Sequence, residues 1–153
     1  MPLRVMQFLA IVFTALALVP AGAHLFELPA KISLTREDYF IVQEIYSGWA
    51  LFGFVLVSAI TANLVLTVML QGRGVHFSLA CAAFLLVTTT LVVFFTAAYP
   101  ANQETQNWTV MANDWRLLRK QWEYSHAINA VLTFLALCAL TLEAVLPHRH
   151  PRA

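Results

Sequence analysis

The chain has 153 residues, of which 60% are hydrophobic and only 11% are charged, and its mean hydropathy is +0.72. This composition is wrong for a water-soluble domain of that length. The formal net charge of +1 provides no basic surface, so no nucleic-acid partner is indicated. The composition instead predicts that the main partner of the chain is the lipid bilayer.

Several apolar runs reach the roughly 20 residues that a helix needs to cross the hydrocarbon core of a membrane. The first run is longer than the core of a signal peptide, so we predict a retained helix although Ala21-Gly22-Ala23 resembles a cleavage site. We predict a single all-α domain over residues 1–153, an integral membrane four-helix bundle with long second and fourth helices. The predicted spans are about 5–27, 37–70, 76–99 and 114–146.

Local signals predict where the helices begin and end. Pro29 should end the first helix, and Thr35-Arg-Glu-Asp38 fits a capping box that opens the second. Pro100 should end the third helix, and Asn113 or Asp114 is placed to cap the fourth. Small residues in the second helix, such as Gly48, Ala50 and Gly53, predict close helix contact.

Four spans place both termini on one side of the membrane, together with the turn at 71–74. We predict that this side is cytoplasmic, because its loops are short and its only acid is Glu143. His76, His148 and His150 lie on this side and are predicted to be solvated, while Glu143 is predicted to face the membrane interface and to snorkel or pair with arginines of the tail. The sequence leaves oligomerisation open.

The most informative stretch is Trp115 to His126, which reads WRLLRKQWEYSH just ahead of a long apolar run. Arg119, Trp122, Glu123 and His126 recur at i, i+3, i+4 and i+7, which is one face of a helix. Glu123 and His126 form a Glu-x-x-His pair, a spacing that helix-bundle metal sites use to direct two ligands inward.

The predicted topology brings unusual polar residues to the same depth on the side opposite the termini. An ionised group at membrane depth is costly unless it is paired, protonated or coordinated, so such residues are functional candidates. The residues of this group are His24, Glu27, Glu44, Asn102, Arg119, Glu123 and His126. Histidine and carboxylate ligands suit one or two divalent ions of iron, copper or zinc. The candidate metal ligands are His24, Glu27, Glu44, Glu123 and His126.

Catalytic roles follow from the same group. His126 or Glu44 is the candidate general base, and Asn102 and Arg119 are candidates for stabilising an oxyanion. Two other interpretations stay open: a structural lattice in which Arg119 pairs with Glu123 and His126 with Glu27 or Glu44, and a set of solvated helix ends.

Aromatic residues gather on the same side of the predicted bundle. Tryptophan and tyrosine favour the membrane interface, so an interfacial belt is one interpretation of this set. The other is a pocket for a flat aromatic ligand, whose candidate binding residues are Tyr46, Trp49, Trp115 and Trp122. Trp122 favours the pocket because it shares the helix face of Glu123 and His126.

Four short motifs resemble the anthrone-oxygenase-like family of small four-helix integral membrane proteins. They are Ala23-His-Leu-Phe-Glu-Leu-Pro29, the Tyr46-Ser-Gly-Trp49 region, Pro100-Ala-Asn102, and Trp115-x-x-Leu-x-x-x-Trp122-Glu-x-x-His126. The resemblance implies a four-helix membrane bundle and, in the fungal polyketide branch, oxidation of an anthrone to an anthraquinone by dioxygen. The matching polar residues are His24, Glu27, Asn102, Trp115, Trp122 and His126.

The sequence therefore supports two functions. The first is a membrane oxygenase or related oxidoreductase that acts on a small, apolar, aromatic molecule at a polar pocket near one membrane face, with a histidine- and glutamate-bound metal as a candidate cofactor. The alternative is a non-enzymatic membrane subunit or small-ligand-binding protein whose polar cluster is a structural lattice of salt bridges.

Overall fold

The computed structural model describes residues 1–147, and these contain helices and connecting turns but no β-strand. This confirms the predicted all-α class. Six α-helices follow one another along the chain, joined in places by short 3-10 or π-helical turns. They are α1 (Pro2–Lys31), α2 (Arg36–Gln43), α3 (Phe52–Met69), α4 (Val75–Val93), α5 (Tyr99–Glu104) and α6 (Trp115–Val145).

Four of these helices form the bundle. α6 packs against both α1 and α4, and α3 packs against the same two helices on the opposite side. Each packed pair runs antiparallel, as in an up-down-up-down bundle with short connections. α2 and α5 lie at the end of the bundle away from the termini.

The inner faces of the bundle are built from small residues, and the large apolar side chains point outward. Alanines such as Ala10, Ala59 and Ala83 are completely buried, whereas Phe54 is 73% exposed. Small residues let membrane helices approach closely while large ones contact lipid. Four segments are long and apolar enough to cross a membrane, as a multi-pass membrane protein requires: Pro2–Lys31, Trp49–Met69, Val75–Glu104 and Trp115–Val145.

The prediction of one long second helix over 37–70 is wrong. α2 ends at Gln43, a 3-10 turn follows, and Gly48 adopts a left-handed φ of +84° before a second 3-10 turn leads into α3. A right-handed helix cannot continue through a left-handed residue. The predicted close contacts at the glycines are also absent from residues 1–147, since a Cβ added to Gly48 or Gly53 meets nothing within 4 Å.

Both prolines expected to end helices lie inside helical segments instead. α1 continues through Pro29 to Lys31. The third span passes through a π-helical turn at Phe94–Ala98 into α5, where Pro100 lies in the first turn. A first-turn proline costs little because its missing N–H would have no partner inside the helix. The extension of α1 beyond Pro29 matters most, because it adds Lys31 to the inner face.

The predicted helix caps are correct in one case of two. The Thr35 hydroxyl accepts a hydrogen bond of 3.2 Å from the Asp38 amide, which confirms the cap of α2. Asp114 precedes α6, but its side chain makes no capping hydrogen bond.

The prediction of a solvated His76 is wrong, because a second polar cluster is buried at the end of the bundle near the termini. The Glu143 carboxylate has no exposed surface; it accepts two hydrogen bonds from the Gln7 amide, at 2.9 and 3.1 Å, and lies 3.1 Å from His76 Nδ1. A buried carboxylate needs such partners. The prediction that Glu143 faces the membrane interface is therefore wrong as well. Its predicted pairing with tail arginines, and the predictions for His148 and His150, lie outside the described residues.

Candidate functional site: a buried lysine between two glutamates and two histidines

The last turns of α1 carry three polar residues on one face. His24, Glu27 and Lys31 recur at i, i+3 and i+7, so their side chains point in the same direction. Lys31 is only 3% exposed and is the centre of the cluster.

The Lys31 ammonium group contacts four polar groups. Its Nζ lies 3.0 Å from Glu123 Oε2 and 3.5 Å from Glu27 Oε2. It donates a 2.8 Å hydrogen bond to the Tyr46 hydroxyl and lies 3.4 Å from His24 Nδ1. An ammonium has three protons, so these four neighbours compete for them. The contact with Glu123 is an ion pair without the alignment of a hydrogen bond.

Glu123 is completely buried and is held from two sides. Lys31 faces its Oε2, and the Tyr39 hydroxyl of α2 donates a 3.0 Å hydrogen bond to its Oε1. Burial, and then the charge of Glu123, raise the pKa of Tyr39 far above its usual value. Tyr39 therefore stays a neutral donor to the carboxylate.

Tyr46 links the lysine to the second glutamate. Its hydroxyl accepts from Lys31 and donates to Glu27 Oε2 in a short hydrogen bond. Burial, followed by the bond to Glu27, raises the pKa of Tyr46 well above its usual value. The chain Lys31–Tyr46–Glu27 is thus a relay of hydrogen bonds that ends at a carboxylate with 38% of its side chain exposed.

Two imidazoles lie beside the lysine. The ring centroids of His24 and His126 are 4.3 Å apart, and Trp122 contacts both rings at 4.9 and 4.3 Å. His126 is half-buried, and no hydrogen bond from residues 1–147 reaches its ring. The His24 ring, by contrast, lies 3.4 Å from the Lys31 ammonium through its Nδ1.

The predicted aromatic residues surround this cluster unequally. Tyr46, Trp49 and Trp122 all contact the His24 ring, with centroid distances of 4.5, 5.5 and 4.9 Å. Trp115 lies in an adjoining layer, where it packs against Tyr39 at 6.4 Å. Three of the four predicted aromatic residues thus form walls of the site.

Three residues predicted for the site lie outside the network of contacts around the Lys31 ammonium. Glu44 is exposed, and no contact described for residues 1–147 joins it to the cluster. Asn102 is half-buried on α5; its backbone carbonyl accepts a hydrogen bond from the Asn107 amide, and no side-chain hydrogen bond of Asn102 is found among residues 1–147. Arg119 donates to the carbonyls of Leu34 at 2.8 Å and Lys31 at 3.4 Å, so it anchors the end of α1 to α6.

The arrangement does not fit the predicted divalent metal. In the part of the chain that the structure describes, no three histidine, cysteine, aspartate or glutamate side chains are grouped to hold one ion. The Lys31 ammonium itself lies close to both Glu27 and Glu123, where a shared cation would sit.

Lys31 and Tyr39 belong to the site but are not among the residues predicted for it. The sequence does contain a signal for Lys31, because His24, Glu27 and Lys31 are spaced i, i+3 and i+7, but this spacing indicates a shared face only if the helix continues past Pro29. Tyr39 had no such signal, because its position depends on the break after α2.

An apolar groove of about 270 Å³ lies on the outer side of α1 and α6. Leu25 and Ala127, which follow His24 and His126 in the chain, are among its lining residues. The others are Tyr124, Ile128, Val131 and Leu132.

Comparison of the chain with protein-family models, with curated proteins and with solved structures finds no match.

Proposed function

We propose that the protein is a membrane oxygenase that removes a proton from a small, apolar aromatic molecule and lets the resulting carbanion react with dioxygen. The observation that carries this proposal is the buried Lys31 ammonium beside the paired imidazoles of His24 and His126. The resemblance to the anthrone-oxygenase-like family supports the same chemistry.

Each residue has a role in this reaction. His126 takes the proton from an activated methylene, as histidine general bases do. The electron pair of the broken C–H bond is delocalised onto a carbonyl oxygen of the substrate, and the Lys31 ammonium stabilises that oxyanion by exchanging its 3.4 Å contact with His24 for it. Tyr46 and Glu27 hold the ammonium in place.

The oxidation needs dioxygen alone as the oxidant. The carbanion adds dioxygen, the product loses water, and the methylene becomes a carbonyl, so one dioxygen is consumed and one water is released for each methylene. The apolar groove on the outer side of α1 and α6, whose lining includes Leu25 and Ala127, supports binding of such an apolar molecule from the bilayer.

Anthrone, a tricyclic ketone with an activated methylene, is the test substrate. Detergent-solubilised protein should consume oxygen and form anthraquinone faster than a protein-free control. His126→Ala should lower the rate by about 10²–10⁴-fold, and Lys31→Met by about 10²–10³-fold.

The control is Glu37→Gln, because Glu37 is 62% exposed and its described ion pair is with neighbouring Arg36. It should keep the wild-type rate. Oxygen uptake no faster than the protein-free control, by wild-type protein shown to be folded, would overturn the proposal.

The alternative of a non-enzymatic protein with a structural cluster has its own support, because Lys31 joins α1 to Glu123 of α6. In that case wild-type protein has no oxygenase activity, and Lys31→Met only destabilises the fold. Measuring the melting temperature beside the oxygen uptake separates the two functions.

We also propose that the termini face the cytoplasm. On the terminal side Arg4 and Arg73 are exposed and no described acid is, whereas on the other side exposed Arg36, Arg116 and Lys120 are accompanied by several exposed acids. The described connection on the terminal side, which holds Arg73, is also short, and Lys and Arg orient a membrane protein chiefly through short loops. A reporter that is active only in the cytoplasm should work when fused to the C-terminus, and activity of an exclusively extracytoplasmic reporter there would contradict this orientation.

A further inference from the structure

A layer of aromatic side chains from α2, the 105–114 segment and α6 adjoins the Lys31 cluster. Tyr39 contacts Trp108 with ring centroids 5.1 Å apart, and Trp108 contacts Trp122 at 5.9 Å. Trp122 in turn contacts His24 and His126, so the layer is continuous with the proposed catalytic site.

Three side chains in this layer keep buried polar atoms without hydrogen-bond partners among residues 1–147. They are both amide atoms of Gln43 and the indole nitrogens of Trp108 and Trp122. Gln43 is 6% exposed, Trp108 5% and Trp122 4%. Buried polar groups in folded proteins are nearly always paired, so several such atoms in adjoining side chains require an explanation.

The backbone holds Trp108 in this layer at a cost. Gln106, Asn107 and Trp108 have left-handed φ values of 46°, 57° and 64°. The Trp108 amide donates to the Thr105 hydroxyl, which is itself anchored on the Ala101 carbonyl. The chain adopts this backbone conformation although it is unfavourable for non-glycine residues. The Trp108 indole N–H is thereby buried without a hydrogen-bond partner in the described part of the chain.

Gln43 connects the unpaired atoms to the cluster. It follows Tyr39 by one turn of α2, and its amide lies close enough to the Tyr39 hydroxyl to oppose the rise in the pKa of Tyr39. Neither amide atom completes a hydrogen bond. The amide therefore lies beside the hydroxyl that donates to Glu123, with its bonding capacity unused.

We propose that Gln43, Trp108 and Trp122 form a polar subsite that binds a second oxygen atom of the aromatic ligand. Indole nitrogens are donors only, so the ligand atom is a hydrogen-bond acceptor such as a carbonyl or phenolate oxygen. The inference rests on the proposed function, in which Lys31 stabilises one oxygen of the ligand. It adds that the ligand carries a second oxygen on the same rigid aromatic frame, so an aromatic hydrocarbon without oxygen binds weakly.

Anthraquinone and anthracene are a matched pair of probes, because they share the tricyclic frame and only the quinone has two oxygens. All four tryptophans of the chain lie at this end of the bundle, so quenching of tryptophan fluorescence in detergent reports binding of either probe. Wild-type protein should bind anthraquinone at least about 10-fold more tightly than anthracene, as one well-placed hydrogen bond allows.

Trp108→Phe and Gln43→Leu keep most of the apolar surface and remove the donors. Each should lower the affinity for anthraquinone by about 3–10-fold and leave that for anthracene unchanged. Trp115→Phe is the control, because the Trp115 indole lies in the same layer and its nitrogen is not one of the buried unpaired atoms. Its ratio of the two affinities should equal that of wild type.

The outcomes separate this inference from the proposed function. The subsite is overturned if wild-type protein binds neither probe. It is also overturned if Trp108→Phe and Gln43→Leu keep the wild-type ratio of the two affinities, which would mean that water alone hydrates the unpaired atoms. The oxygen uptake of wild type with anthrone then judges the enzymatic proposal by itself. A ratio that falls as expected, without oxygen uptake, would establish the subsite in a binding protein.

Discussion

At the scale of single residues, Lys31 is what allows the polar cluster to be buried inside the bundle. Glu123 has no exposed surface, and an unpaired carboxylate there would cost several kcal/mol. The lysine supplies the opposite charge, and the Tyr39 and Tyr46 hydroxyls donate to the carboxylates on either side of it. The proposed catalysis and the folding of the bundle would therefore depend on the same contacts, so both rate and stability must be measured for every variant.

Tyr39 should make stability depend on pH in the alkaline range. Its pKa is raised in the folded state, chiefly by burial, so its contribution is complete below about pH 10, where the unfolded-state phenol is neutral, and is lost as the pH rises further. Tyr39→Phe removes the hydrogen bond to Glu123 and should lower the free energy of unfolding at pH 8 by about 1.5–3 kcal/mol. The deficit should narrow at pH 11, as measured by denaturant unfolding in detergent.

Tyr124→Phe is the control for this experiment, because Tyr124 is 51% exposed on the outer face of α6. Its free energy of unfolding at pH 8 should stay within about 0.5 kcal/mol of wild type, as for other surface changes. A deficit in Tyr39→Phe that is the same at pH 8 and pH 11 would mean that the phenol does not resist ionisation in the folded protein.

At the scale of elements, the break between α2 and α3 builds the site. Because the helix stops at Gln43 and resumes at Phe52, α2 caps the end of the bundle and places Tyr39 against Glu123. Periodicity in the sequence cannot reveal this, since residues 37–70 contain no proline and only two glycines. The left-handed Gly48 marks the break, and a glycine adopts positive and negative φ with similar ease, so its presence in the sequence does not show which it takes.

Replacing Gly48 with alanine should therefore destabilise the protein through the backbone alone. An added Cβ meets no atom within 4 Å, but a non-glycine residue with left-handed φ costs about 1–2 kcal/mol. The free energy of unfolding of Gly48→Ala should fall by about that amount. Binding of anthraquinone should weaken as well, because the break positions α2 and Gln43.

Gly53 provides a matched control five residues later. A Cβ there also meets nothing within 4 Å, but Gly53 lies within α3 and has no left-handed φ. Gly53→Ala should leave the free energy of unfolding unchanged or raise it by up to about 1 kcal/mol, as helix propensity predicts. Equal effects of the two substitutions would show that the conformation of Gly48 is not what sets the break.

At the scale of the whole molecule, the sequence predicts most of the fold and part of the site. The four apolar segments and the face formed by Arg119, Trp122, Glu123 and His126 follow from length and period, and burial of these side chains agrees with that face. The terminal-side cluster was missed for a physical reason. His76 opens its helix next to an exposed turn, and only packing of three helices shows that it meets Glu143.

The two clusters of ionisable residues lie at opposite ends of the bundle. Gln7 and His24 are 17 residues apart on α1, and His126 and Glu143 are 17 apart on α6, so about 26 Å of helix lies between the clusters. The buried polar side chains between them are uncharged, such as Asn63, which donates a 3.0 Å hydrogen bond to the Thr14 hydroxyl.

Substitution of Glu143 should therefore destabilise the bundle without changing the chemistry at the other end. Glu143→Leu leaves Gln7 and His76 without their shared carboxylate and should lower the free energy of unfolding by about 3–5 kcal/mol. Glu143→Gln keeps one acceptor oxygen and should cost less, about 1–3 kcal/mol. Denaturant unfolding measures both effects on stability. With anthrone as substrate, the rate of oxygen uptake per folded molecule of Glu143→Gln should equal that of wild type. A clear loss of rate in folded Glu143→Gln would show that the clusters are coupled, because a change of charge about 26 Å from His126 is otherwise too distant to affect proton removal.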